Sequence, residues 1–244
     1  MRVAVISDIH ANMQALEAVL NDIQEQGCEH IFCLGDLALA GPQPKEVMDF
    51  IMAQENWTII QGNTDRMIAN YGQEVIDFLE AQYPVMANAI TADSKELDDT
   101  YRAYLANLPP QLSIEIDGCS VLLVHGSPRA NNEDIMPQMP IEVIEEMIYG
   151  TEEKLIFCAH THIPCGYQTN TNQTVVNVGS VGRPMTEDPK ACYVVGDFEN
   201  GNFEIHHRFV KYDNKLAAQI MSQRDFVGSD RLADLLLNPV ARHI

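Results

Sequence analysis

The chain has 244 residues, 46% of them hydrophobic and 20% charged, with a formal net charge of −20, which suits one large α/β domain able to bury a sizeable core. The acid excess disfavours a nucleic-acid backbone binder, because phosphate neutralisation needs clustered Lys and Arg, and no apolar run is long enough to span a bilayer. Six cysteines without a Cys-x-x-Cys pair argue against a disulfide framework, and the first apolar run reads as a strand rather than a cleavable leader, so the expected address is the cytoplasm.

In chain order, Arg2 to Ser7 is a β-branched run followed at once by Asp8-Ile9-His10. Met13 to Gln26 carries apolar residues at helical spacing and stops at Gly27. Ile31 to Leu34 is a second strand ending in Gly35-Asp36, Lys45 to Ala53 is helical, and Trp57 to Ile60 is a third strand ended by Gly62-Asn63. This is a βαβαβ unit, whose parallel strands present ligands at their carboxyl ends.

Residues 66 to 108 read as an inserted helical layer: a continuation over Arg66 to Tyr71, then helices over Val75 to Ala89 and Ala92 to Leu108, the last opening on an Asp93-Ser94-Lys95-Glu96 cap. Strands return with Leu112 to Ile116 and Cys119 to Val124 about an Asp117-Gly118 hairpin turn, and the second of these ends at His125-Gly126. Ile141 to Tyr149 is helical. Leu155 to Ala159 is a buried strand that stops at His160-Thr161-His162, where residues two apart project to the same side. Gly166 to Thr169 with Thr174 to Val178, and Cys192 to Phe198 with Phe203 to Phe209, complete a second half expected to be largely antiparallel. Two short helices, over Asn214 to Met221 and Asp230 to Leu237, form the tail.

Seven polar residues stand at the ends of five strands: Asp8, His10, Asp36, Asn63, His125, His160 and His162, which include four of the eight histidines. Each alone has an ordinary reading, Asp36 as a helix cap, Asn63 as a turn and His125 as a hydrogen-bonded core histidine. Together they are expected on one edge of one sheet. Oxygen and imidazole donors suit manganese, iron, zinc or nickel rather than calcium, and seven ligands fit two ions if a carboxylate bridges them.

Asp8-Ile9-His10, Gly35-Asp36, Gly62-Asn63, His125-Gly126 and Ala159-His160-Thr161-His162 resemble, in order, the five motifs of the calcineurin-like metallophosphoesterases over residues 1 to about 210. Gly41-Pro42 and the run Asn177 to Pro184 are similar to the small bacterial phosphodiesterases and diadenosine-tetraphosphate-hydrolase-like proteins. The resemblance implies a single domain over 1–244, a four-layer αββα sandwich of two mixed β-sheets flanked by helices. The helical insert would cover about 66–108 and a helical tail about 212–244. It implies that Asp8, His10 and His162 hold one divalent ion and Asn63, His125 and His160 a second, with Asp36 bridging. Manganese is the first expectation, with iron, zinc, nickel or cobalt as alternatives. The implied activity is hydrolysis of phosphodiester or phosphoanhydride bonds, possible substrates being nucleotides or dinucleoside polyphosphates, by a hydroxide bridging the two ions.

Three departures stand out. Ala11 and Ala159 replace the Gly frequent in the family, and Thr64 occupies the place where many members carry a His that protonates the leaving group. An alkoxide needs that proton, whereas a phosphate leaving group, with a second pKa of about 6, does not. Asp65 is expected to orient its neighbours by hydrogen bonds, or else to serve as a helix N-terminal carboxylate. Arg129, Arg66 and Arg183 are candidates for contacts to substrate phosphate, the alternative being ordinary surface charge. His206-His207 reads as structural. The expected partner is a small, nucleotide-like phosphorylated molecule; neither a membrane nor a nucleic acid is expected. Oligomeric state is not legible. Alternatives are a phosphomonoesterase or protein phosphatase and, from another class, a non-catalytic scaffold, which would predict gaps in the ligand set.

Overall fold

The computed structural model describes residues 1–241; residues 242–244 of the expected tail lie outside the described residues. The first unit forms as the pattern predicts, with β1 (Arg2–Ile6), α1 (Met13–Gln26), β2 (His30–Cys33), α2 (Pro44–Met52) and β3 (Trp57–Ile59), the three strands parallel. α1 begins at Asn12, whose side chain accepts the Ala15 N–H, and ends at Gly27 in left-handed backbone at φ 69°, where glycine bears no Cβ penalty.

The insert is α3 (Asn63–Ala69), α4 (Gln73–Gln82), α5 (Pro84–Glu96) and α6 (Asp99–Asn107). Two helices were expected over 75–108 and three form. Pro84 opens α5 as its first residue, which suits its missing N–H. Asp98, not Asp93, caps the next helix by accepting the Thr100 N–H. Asp93 to Glu96 form the last turn of α5, so the expected cap there is corrected.

The second half contains β4 (Gln111–Ile116), β5 (Cys119–Val124), α7 (Ile141–Met147), β6 (Leu155–Cys158), β7 (Cys165–Gln168), β8 (Thr174–Asn177), β9 (Ala191–Glu199), β10 (Asn202–Val210), α8 (Asn214–Ser222) and α9 (Ser229–Leu237). The strands make two mixed five-stranded sheets, in the orders β10-β9-β1-β2-β3 and β4-β5-β6-β8-β7. The expected antiparallel second half is only partly realised: β5, β6 and β8 are parallel, as suits the unbroken apolar run of β6, which is buried throughout. The β9–β10 hairpin crosses to the first sheet and pairs antiparallel with β1.

Period-2 alternation creates the layers. Val3 and Val5 of β1 pack with Val121 and Leu123 of β5 and Leu155 and Phe157 of β6 in a core between the sheets. Their neighbours Ala4 and Ile6 pack outward with Leu16 and Val19 of α1, in a core that also takes in Leu79, Ile90, Leu105, Met221 and Leu232 from the insert and the tail. On the far side Leu122, Val124, Ile156 and Cys158 meet Ile144 and Met147 of α7. The result is the four-layer αββα sandwich. Among the described residues no helix is long and apolar enough to cross a membrane.

Candidate metal centre

The candidate residues come from two sheets, not one. Asp8, Asp36 and Asn63 follow β1, β2 and β3, whereas His125 and His160 follow β5 and β6 of the facing sheet. Stacking two sheets with their parallel strands ending on one side brings both rims together. The loops then bond to one another: His10 N–H to the Asp36 carbonyl at 3.0 Å, Ala159 N–H to the His125 carbonyl at 2.7 Å, and across the sheets His160 N–H to Asp8 Oδ2 at 3.3 Å. Asp8, His10, Asp36, His160 and His162 all have φ between 44° and 66°. Left-handed backbone costs roughly 1–2 kcal/mol at each such residue, so these turns persist only because the surrounding contacts over-determine them. Ala11 shares the conformation at φ 53°, which explains why Gly is the easier residue there.

The first cluster is Asp8, His10 and His162, all buried. His10 gives its Nδ1–H to the Leu39 carbonyl at 2.8 Å, and His162 gives its own to the Arg183 carbonyl at 2.5 Å. A carbonyl can only accept, so in the neutral rings both Nε2 atoms carry lone pairs. They face each other at 3.2 Å, and Asp8 Oδ1 stands 3.1 Å from His162 Nε2 and 3.8 Å from His10 Nε2. That carboxylate oxygen is buried with no hydrogen-bond partner. Burial, then the neighbouring His162, pushes the His10 imidazolium down to about 4, so protonation does not relieve the crowding at neutral pH. With both rings neutral, three electron-rich atoms converge on one point, a geometry that suits a cation.

The second cluster is Asp8, Asp36 and His125, with Asn63 joined through its Oδ1, 2.9 Å from His125 Nε2. His125 Nδ1 bonds the Leu34 carbonyl at 2.7 Å. Burial works against its charge, but the Asp36 and Asp8 carboxylates override that and hold the imidazolium up at about 10. Asp36 Oδ2 lies 3.4 Å from His125 Nε2 and 3.6 Å from His10 Nε2, facing one histidine of each cluster. Its other oxygen accepts the Thr64 N–H at 2.8 Å. Burial opposes its ionisation, yet His125, His10 and that amide hold it well below the usual carboxylate range. His160 stands at the margin: its Nε2 is 3.4 Å from Asp134, its ring centroid is 5.5 Å from that of His125, and it belongs to neither cluster.

Asp65 fills both roles expected of it. It is the third residue of α3 and accepts the Gly62 N–H, and it also accepts the Asp36 and Leu37 N–H groups at 2.8 Å each. Burial, then the Asp36 charge, pushes its carboxyl up to about 7. The three arginines separate. Arg129 is engaged by Glu133, 2.5 Å from Nη2. Arg183 offers its backbone to His162, while its half-buried guanidinium contacts Met86 Sδ at 3.7 Å. Arg66 is exposed, its guanidinium makes no hydrogen bond or ion pair among the described residues, and it shares a cavity of about 350 Å³ with His125, Gln61 and Arg129. His207 bonds the Asn177 carbonyl and His206 meets Glu204, both outside the site.

Sequence reasoning missed Ser180, whose hydroxyl donates to the Asp8 carbonyl while accepting the Arg183 N–H. It also missed Asn177, which donates to the Ala159 carbonyl and to Thr161 Oγ1, and Asp134. The run from Asn177 to Arg183 signalled a tight turn, but nothing local told which strand end it would brace.

The calcineurin-like phosphoesterase superfamily domain matches residues 1–201. An uncharacterised protein of Methanocaldococcus jannaschii is 32% identical over 230 residues, covering 88% of this chain and 89% of that one. A hypothetical protein of Pyrococcus horikoshii has the same fold at a TM-score of 0.86 and 24% identity, with 99% of each chain covered. A metallophosphoesterase from Sphaerobacter thermophilus follows at a TM-score of 0.75 and 25% identity, covering 98% of each chain. With the ordered motifs, the layered sheets and the domain match in agreement, the chain belongs to the calcineurin-like phosphoesterase superfamily.

Proposed function

We propose that this chain is a two-metal phosphohydrolase acting on phosphodiester or phosphoanhydride bonds. The observation that carries the reading is the meeting of Asp8 Oδ1, His10 Nε2 and His162 Nε2 within 3.1 to 3.8 Å of one another in a buried site. In this reading Asp8, His10 and His162 hold one divalent ion and Asn63, His125 and His160 the other, with Asp36 shared. Manganese is the proposed metal, from the mixed carboxylate, amide and imidazole donor set. A bound pair of divalent ions supplies Lewis acidity to phosphoryl oxygens and lowers the pKa of water toward ~7.

The chain's own groups do the rest. The Leu39, Arg183 and Leu34 carbonyls fix the rings of His10, His162 and His125 in one tautomer, and Asp65 holds the Asp36 backbone. Arg66 supplies an unpaired cation beside His125 for a further phosphate or other anionic group. Thr64 provides no imidazole to protonate a leaving group, which favours substrates whose leaving group is itself a phosphate, such as dinucleoside polyphosphates. The proposed partner is accordingly a small nucleotide-like molecule, the proposed setting the cytoplasm, and the whole chain one domain, since insert and tail share the core of the first sheet.

The test is turnover of an aryl phosphodiester by the Mn²⁺-loaded chain and by Asp36→Ala. Equal rates would remove catalysis from this site. Comparing a bis-nucleoside tetraphosphate with glycerol phosphate then tests the leaving-group argument, which predicts a clear preference for the tetraphosphate and fails on equality or reversal.

A further inference from the structure

Residues beyond 201 lie outside the matched superfamily span, yet one of them reaches back to the loop that carries Asp36. Arg224, between α8 and α9, has only 8% of its side chain exposed. Its Nη1 donates to the Gly41 carbonyl at 2.8 Å and stands 2.6 Å from Asp93 Oδ1. Nη1 carries two protons, so the Gly41 carbonyl and the Asp93 carboxylate do not compete for it. Nη2 donates to Glu96 Oε1 at 2.7 Å. Asp93 is fully buried on α5, and its second oxygen accepts the Ala40 N–H at 2.9 Å.

The tail, the insert and the loop after β2 thus meet at one charge cluster, and the cluster grips the loop on both sides of the Ala40–Gly41 peptide. This grip has a local purpose. From Leu37 to Gly41 the loop is buried but belongs to no helix or strand, and Ala40 is held at φ 61°. Gly41 lies so close to the first motif that a Cβ there would come within 1.6 Å of the His10 carbonyl oxygen. Immediately upstream, the Leu39 carbonyl accepts His10 Nδ1–H at 2.8 Å, the bond that turns His10 Nε2 toward Asp8 and His162.

We propose that Arg224, acting with Asp93, is a positioning residue for the metal centre: through the Ala40–Gly41 backbone it holds the Leu39 carbonyl that orients His10. The C-terminal helices are then part of the machinery and not only a cover for the core. This rests on the metal-site reading above. Loss of a group that orients a ligand typically costs 10–100-fold in metal affinity, and the cost should fall on the ion held by His10.

Mn²⁺ titration of the full chain, followed by electron paramagnetic resonance, reads this directly. Arg224→Met alone would strand the buried Asp93 charge, a change that is strongly destabilising by itself, so the primary variant is Arg224→Met with Asp93→Asn. Its expected result is a folded protein in which one of two Mn²⁺ ions binds about 10–100-fold more weakly and the other as before. Arg224→Lys is the second variant, since it keeps the charge but lacks the fork needed to engage Gly41, Asp93 and Glu96 together; it should show the same one-ion loss, smaller in size. Arg208→Met breaks the Arg208–Asp22 pair, of like geometry at 2.6 Å but between α1 and β10, and should leave both ions unaffected. Wild-type Mn²⁺ binding in either folded Arg224 variant would overturn the proposal, as would an equal loss in Arg208→Met. Failure of the wild-type chain to bind Mn²⁺ would instead bring down the metal-site reading, and this inference with it.

Discussion

His10 and His125 each give Nδ1–H to a backbone carbonyl, yet their Nε2 atoms face opposite surroundings. Around His10 the neighbours are a second imidazole at 3.2 Å and the more distant Asp36 and Asp8 carboxylates, and burial with His162 keeps the ring neutral down to a pH of about 4. Around His125 the neighbours are two carboxylates and the Asn63 amide oxygen, and the metal-free ring keeps its second proton up to a pH of about 10. The first cluster sets neutral donors together; the second keeps a proton on its histidine. One fold has therefore made two clusters of similar donors, and in the proposed two-metal reading they differ in what an ion must displace.

The largest expected effect comes from Asp36, which faces both halves. Asp36→Ala should lower phosphodiester turnover by more than the roughly 10³-fold that one oxyanion-hole donor is worth, and a smaller loss in steady-state rate would mean that the halves do not share this residue. Next comes His10→Ala against His160→Ala, with bound Mn²⁺ counted by elemental analysis. The His10 variant should weaken one ion by more than the ~100-fold upper end for outer groups. The His160 variant should be milder, because that ring sits outside both clusters, and a reversed order would break the comparison.

A pH series separates the halves further. Binding at the His125 side releases a proton, so apparent affinity should rise about tenfold per pH unit between pH 6.5 and 10, while the His10 side stays flat. Calorimetry in buffers of different ionisation enthalpy counts that proton. Linkage also gives the metal-free protein two opposed trends. The raised His125 contributes stability that is complete below pH 6.5 and lost as pH rises through 10. The lowered His10 removes stability as pH falls from 6.5 through 4. Urea midpoints of chelator-treated protein that stay constant from pH 4 to 10 would contradict both trends. Asp134→Asn is the mildest case, with a loss near the ~10-fold low end in second-ion affinity, since Asp134 is 37% exposed beside His160.

Much of this was legible in residues. Asp8, Asp36 and Asn63 announce themselves because each follows a short β-branched or apolar run at the carboxyl end of a parallel strand. The boundaries of α1 were legible to the residue from the apolar spacing and Gly27. The break between α5 and α6 was misplaced because Asp93 and Asp98 offer the same capping chemistry, and only burial of Asp93 against Ala40 and Arg224 tells them apart. Arg129 does line the cavity beside His125, as its spacing suggested, and only the fold shows Glu133, four residues on, engaging its charge.

The sequence by itself determined the strand ends, the donor chemistry and the superfamily, because alternation, turn residues and ligand types are local properties. Tertiary structure decided what depends on long-range closure. Two sheets, not one, bring His125 and His160 to Asp8 and Asp36, the carbonyls that fix the rings come from loops 21 to 91 residues away, and 152 residues separate His10 from the histidine it faces. Electrostatic character was settled at the same level. Whether an imidazole is neutral or charged depends on which carboxylates the fold sets within a few ångströms and how much water it excludes, and neither is written in the neighbouring residues.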